Sequence, residues 1–225
     1  DSDSGIFLYH SWGGYKHQYT FTASELKAAG LGAGPITALK FDIVTPGVDR
    51  KDFSIAISAT TQTIATNTHI DNVGLTQVYT NALQAFTAGI QTFTFTTPYN
   101  WDGTSNIVIQ TNWSNENFGD WEGSGELRYH RTAVPMTTYT YADETTAASL
   151  LSTMTGAAGN ISGGTSGGTD IEKSRPKTVF VGTSVCESTA IEIPVIIDPK
   201  PLLELSTDKV TSCEGGVSDL VTVAT

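Results

Sequence analysis

"TFTFTTPYNWDGTSNIVIQTNW", residues 92–113, decides how this chain is read. Phe93 and Phe95 fall on one side of an extended segment, and Thr92, Thr94 and Thr96 on the other. After a break, Ile107, Ile109, Thr111 and Trp113 form a second row at the same period. Successive side chains of a strand point to opposite faces, so period two marks a pleated segment with one apolar side. Between the rows sits Trp101-Asp102-Gly103. Asp-Gly is a tight-turn signal, because glycine takes a positive φ without steric cost and aspartate bonds its own backbone. A metal-holding reading of Asp102 competes with the turn. The calcium-loop order D-x-[DN]-x-[DN]-G is not met here. The stretch reads as strand, turn, strand.

The same pattern recurs outward. Leu39, Phe41 and Ile43 alternate with Lys40 and Asp42; Phe53, Ile55 and Ile57 share a face; Leu127 and Tyr129 oppose Arg128 and His130. Short period-two runs separated by Gly, Pro, Asn and Asp read as antiparallel sheets with one wet face. Threonine, valine, isoleucine and aromatics suit such surfaces. The fold expected is an all-β antiparallel β-sandwich, jelly-roll-like, over residues 1–199.

One short capping helix fits "TASELKAAG", 22–30. Thr22 and Glu25 make a capping box, and Gly30 suits a left-handed C-cap. "ADETTAASLLSTMTG", 142–156, is ambiguous: Ala147, Leu150, Leu151 and Met154 have helical spacing, while its threonines disfavour a helix. "GAAGNISGGTSGGTD", 156–170, has the composition of a flexible loop, and strands resume at "KTVFVG". Ile191, Ile193, Val195 and Ile197 form a last row before "PKP", 199–201, interrupts the ladder. Residues 200–225 are too few for a core of their own, and read as the first strands of a following module. Cys186 and Cys213 lack a nearby His and make a poor metal site. They suit a disulfide worth roughly 3 kcal/mol, or separate fates in separate modules.

The chain carries 12 basic and 23 acidic side chains, a net charge of −11. Such a surface repels a phosphate backbone, which argues against nucleic-acid binding. No run reaches the ~20 apolar residues of a membrane helix, so membrane insertion through helices is not expected.

Several linked segments resemble a family. "YTFTASELKAAGLGAGPITALKFDI", "FSIAIS", "QVYT", "FTFTTPYNWDGTSNIVIQTNW" and the late "SRPKTVF…VCES…IEIPVII" are similar to a module of very large secreted proteins of Bacteroidota. There an aromatic–T–x–x–E–L segment precedes "AAGL", a "WDG-x-SN" turn follows, and an "RP" strand and "CES" close the module. The resemblance covers about residues 6–199, and "TSCEGG" looks like the start of the immunoglobulin-like repeat that often comes next. It implies an extracellular or cell-surface adhesin or gliding-type protein, with neighbouring Ig-like modules as partners in the same chain. It implies no catalytic residues.

The segment "NWSNENFGDWEGSGELRYH", 112–130, carries the candidate ligand-binding residues: Trp113, Asn115, Asp120, Trp121 and Glu122. Aromatic rings beside acids and amides suit sugars, the ring stacking on the apolar sugar face and the polar groups bonding hydroxyls. Strand-to-strand loops are where binding usually lives. The competing reading packs the tryptophans on the sheet and leaves the acids solvated. Asp120, Glu122 and Glu126 also suit a calcium ion held with backbone carbonyls, the one cofactor weighed. "LYHSWGGYKHQY", 8–19, suits a second stacking patch, or a glycine turn ahead of the Tyr19–Phe21 strand.

The histidines carry no catalytic signature: His10, His17, His69 and His130 lack HExxH spacing. Glu122 and Glu126 offer paired carboxyls only as any acidic loop does. The expectation is a non-catalytic structural or adhesive module, not an enzyme, with glycans or cell-surface polymers as partners. A carbohydrate-binding module is the alternative. A surface filament, assembled by adding residues 201–225 to a neighbouring copy as a strand, is a second one.

Overall fold

The alternating rows form strands, and the strands pair into two sheets. The computed structural model describes residues 2–4, 8–71, 74–152 and 167–184. The elements run β1 (Ser2–Ser4), β2 (Gly14–Phe21), α1 (Ala23–Ala28), β3 (Leu31–Thr45), β4 (Arg50–Thr60), β5 (Thr76–Gln84), β6 (Gly89–Trp101), β7 (Asn106–Ser114), β8 (Glu126–Arg131), β9 (Thr137–Ala142), α2 (Ala147–Ser152), β10 (Gly167–Glu172), β11 (Ser174–Pro176) and β12 (Thr178–Ser184). Trp121–Gly123 is a single 3-10 turn.

In the first sheet β1, β8, β3 and β6 lie side by side, with β12 also on β3 and β11 on β8. In the second the order is β10-β9-β2-β7-β4-β5. The two cores of this order, 1-8-3-6 and 2-7-4-5, are the strand orders of a jelly roll. The protein is therefore an all-β antiparallel sandwich of the jelly-roll kind. The chain steps from one sheet to the other at nearly every turn, so loops gather at the ends of the sandwich.

The apolar rows meet between the sheets. Leu39, Phe41 and Ile43 of β3 face Phe53, Ile55 and Ile57 of β4, each 1% exposed or less. Phe93 packs on Phe41 at 5.5 Å, on Phe53 at 5.7 Å and on Tyr79 at 5.4 Å. Each such side chain contributes about 1.5–3 kcal/mol relative to exposure.

The helix at Thr22 forms as its sequence implies. Thr22 is the N-cap and Glu25 completes the capping box. Gly30 takes φ +85° just beyond the end. The helix sits where the chain passes from β2 in the second sheet to β3 in the first, with Leu26 buried. The ambiguous stretch resolves as a second short helix, α2, where one had been expected. Ala147 and Leu150 are its buried residues, and helical spacing prevails over threonine propensity because they pack on a sheet.

Two readings of the sequence need correction. The second sheet has no wet face along β2 and β7, since every residue of β2 and nearly every one of β7 is buried. Its outer side is polar but covered by residues 61–71 and α2. Gln18 bonds Gln110 at 2.8 Å and both backbone groups of Ile70; His69 bonds Thr140 at 2.8 Å; Asn112 bonds the Ala147 carbonyl at 3.2 Å. Polar residues can be buried there because several of them hydrogen-bond to the covering segments. The loop read at 156–170 ends earlier, since Gly167–Asp170 begin β10, paired on β9. The readings placed on 185–225, namely the last row before "PKP", the pairing of Cys186 and Cys213, the Ig-like start and strand addition by 201–225, lie outside the described residues.

Candidate functional site

The quoted turn is structural. One Asp102 carboxylate oxygen accepts the Thr104 and Ser105 N–H groups, each at 2.7 Å, and the other accepts the Ser105 hydroxyl at 2.5 Å. These donors hold its carboxyl well below the usual range, the Ser105 hydroxyl first among them. Gly103 has φ +76°, and Trp101 is buried with its indole N–H on the Ser105 carbonyl at 2.8 Å. Asp102 is thereby occupied in turning the chain.

Of the candidate ligand residues, the structure turns Trp113 inward. It is 0% exposed, stacks on His10 at 5.7 Å and Tyr15 at 5.6 Å, and carries the Arg50 guanidinium 4.6 Å above its ring. Its ring is not available to a sugar, because Thr111 and Trp113 continue the core row of Ile107 and Ile109. Asn115 is committed to backbone: its amide oxygen accepts Lys51 N–H at 2.9 Å and its nitrogen donates to the Asp49 carbonyl at 3.1 Å. Asp120 and Glu122 are exposed, and Asp120 accepts the Glu122 N–H at 2.9 Å. The Trp121 backbone belongs to the 3-10 turn; its side chain lies outside what is described. The structure thus brings 115–122 together as one loop without a ring to stack on from Trp113. Among the described side chains of the loop, Phe118, at 60% exposure, is the aromatic it presents.

That loop is held rigidly. One oxygen of Asp143 accepts both Gly13 N–H and Gly119 N–H at 2.8 Å. Gly13 and Gly119 are needed for closeness: a Cβ on Gly13 would meet the Asn117 carbonyl oxygen at 1.8 Å, and one on Gly119 the Ser11 backbone at 2.1 Å. The 8–13 and 115–125 segments therefore interleave. Arg50, fully buried, donates to the Leu8 carbonyl at 2.6 Å and to Gly123 at 3.3 Å. His10 is buried, with Nδ1 3.0 Å from the Asp120 carbonyl oxygen. Burial lowers its pKa, against that opposing hydrogen bond.

A second feature emerges beside this loop. Cross-strand register aligns Trp113, Tyr15 and Tyr141 in one row, and Thr111, His17, Tyr139 and Asp170 in the next. Each row runs from core to surface. Trp113 and Thr111 are 0% exposed, Tyr15 and His17 are 3% and 2%, Tyr141 and Tyr139 are half-buried, and Asp170 is exposed. Half-buried Trp12 lies against Tyr141 at 4.8 Å, and half-buried Tyr9 sits edge-on to Tyr15 at 6.4 Å. Sequence reading flagged residues 8–19 as aromatic but missed Tyr139 and Tyr141. The alternation in "TTYTYA", 137–142, was the signal.

A cleft of about 480 Å³ also opens between α2 and strands β4 and β5, lined by Asp52, Ser54, Thr80, Asn81 and Asn112 among others. Its one aromatic, Phe53, has its ring in the core. Among the described residues no group of three or more His, Cys, Asp or Glu side chains is placed to hold a metal ion, Asp120, Glu122 and Glu126 included. No described helix is long and apolar enough to cross a membrane. Comparison with protein-family models, with curated proteins and with solved structures finds no match.

Proposed function

We propose that this chain is a non-catalytic adhesive module of a large secreted or cell-surface protein. One observation carries the reading: the Asp143 staple fixes two interleaved loops at one end of a jelly roll, while Phe118, Asp120 and Glu122 face solvent. A rigid frame with exposed loop side chains presents a contact surface at low entropic cost on binding. Repeated along a long protein with neighbouring Ig-like modules, weak contacts add through effective concentration. Beads coated with the purified module should adhere to polysaccharide-coated or cell-derived surfaces while releasing no reducing sugar. Turnover of any polysaccharide would sink the reading.

Carbohydrate binding is the second reading, and a different observation favours it: Tyr139 and Tyr141 are half-buried rings backed by buried ones, with half-buried Trp12 against Tyr141. Such rings suit the apolar face of a sugar.

A further inference from the structure

The emerging rows of the second sheet have the make-up of a ligand site. Tyr139 stacks on buried His17 at 5.7 Å, with 23° between planes. Tyr141 rests on Tyr15 at 6.1 Å, on Tyr139 at 5.9 Å and on Trp12 at 4.8 Å. The rings are thus fixed from beneath by the core, so little side-chain freedom is lost when something lands on them. Among the described residues no hydrogen bond engages the Trp12 indole N–H or the Tyr139 and Tyr141 hydroxyls. Buried tyrosine and tryptophan normally find a partner for these groups. Here three stand at one rim with rings half covered, a combination that offers apolar ring surface edged by donors.

The charge around the shelf narrows the ligand. Asp170 lies directly across from Tyr139 on β10, and Glu172 across from Thr137. Burial first, then these two carboxylates, pushes the Tyr139 hydroxyl up to about 12, so it remains a neutral donor through ordinary pH. The chain as a whole is at −11. An anionic ligand would be repelled on approach and in place.

We propose that Tyr9, Trp12, Tyr139 and Tyr141 form a stacking shelf for a neutral oligosaccharide, with Asp170 accepting sugar hydroxyls at its edge. This rests on the carbohydrate-binding reading, and moves the site from the 112–122 loop to the β9–β10 edge of the second sheet. The ligand lies across the rings, its apolar face down and its hydroxyls toward the Trp12, Tyr139 and Asp170 polar atoms. No bond is made or broken.

The test is calorimetric titration of the whole chain with cellohexaose, xylohexaose, mannohexaose and laminarihexaose, and with polygalacturonate as the anionic counterpart. At least one neutral hexaose should bind, and polygalacturonate should not. Trp12→Ala and Tyr139→Ala should each weaken binding about tenfold, and Ile90→Ala, at an exposed position on β6 of the other sheet, should leave it unchanged. Tyr139→Phe keeps the ring and should lose less than Tyr139→Ala, which holds the test open should the alanine variant unfold. Binding by none of the four hexaoses overturns the shelf, as does undiminished binding by Trp12→Ala, an equal loss on Ile90→Ala, or a preference for polygalacturonate. Retained bead adhesion in any of those cases leaves the adhesive reading standing, whereas hydrolysis of a hexaose removes the adhesive reading itself.

Discussion

Asp143 holds the loop end of the sandwich through one oxygen shared by two N–H groups, each 2.8 Å away. It is 8% exposed, so water cannot readily replace it. Asp143→Ala leaves both donors without an acceptor in a site too tight to open. It should destabilise the fold by about 2–4 kcal/mol, read as a lower urea midpoint. Trp113 shows the other side of residue-scale reasoning. An aromatic beside amides and acids suits sugar recognition in sequence, but the strand row that carries Trp113 ends in the core. Trp113→Ala should cost about 3–5 kcal/mol by leaving a cavity under Arg50, measured by chemical denaturation, and unfolding should account for any loss of ligand binding.

The short helix α1 owes its place to partners distant in sequence. Arg175 of β11 reaches Glu25 at 2.5 Å, donates to the Thr20 carbonyl at 2.5 Å, and lies 4.3 Å over the Phe21 ring. The F-T-x-x-E-L segment and the later R-P pair, far apart in sequence, meet here in space. Thr22→Ala should cost about 1 kcal/mol through the lost cap. A double-mutant cycle between Glu25→Gln and Arg175→Lys should show coupling, because a lysine cannot reproduce the planar fork that engages carboxylate, carbonyl and ring together. Additive effects in that cycle would show that the ion pair is incidental. Strand β9 belongs at this scale too. Its Thr-Tyr alternation was legible, but its consequence was not: only pairing with β2 puts Tyr139 beside His17 and Tyr141 beside Tyr15.

At the scale of the molecule, acid should be the weak point. Burial pushes His17 down to about 3, and burial with the nearby charge of Lys16 pushes His69 down to about 2. Unfolded histidine titrates near 6.5. Above that pH both are neutral in either state, and their contribution to stability is fully present. Below it the unfolded chain takes up protons that the folded chain refuses. Stability should therefore fall by about 1.4 kcal/mol per pH unit for each histidine between about pH 6.5 and about pH 3. Urea midpoints from pH 7.5 to 4.5 check this. His17→Phe should reduce the slope by about 1.4 kcal/mol per pH unit, and it removes a buried ring nitrogen, Nδ1, that has no hydrogen-bond partner. A pH-flat wild type would refute the assignment.

The sandwich was legible because period two is a local property. Phe93, Ile55, Leu39 and Ile109 each declare a face without reference to any other strand, and the Asp102-Gly103 turn and the Thr22–Glu25 cap are closed by residues within a few positions. Depth was not legible. Alternation says that Trp113 and Tyr141 each point to one side of a strand; it does not say how far each strand lies from the edge of its sheet, or which segments cover it. β7 is central, so Trp113 is sealed; β9 lies near the edge, so Tyr141 reaches the surface. The outer side of the second sheet is likewise covered by residues 61–71 and α2, which no periodicity in β2 or β7 foretells. The amino-acid sequence by itself thus determined the strands, their apolar faces, the turn and the cap. Only the tertiary structure decided which aromatic rings are core and which are shelf, because burial is set by neighbours far along the chain.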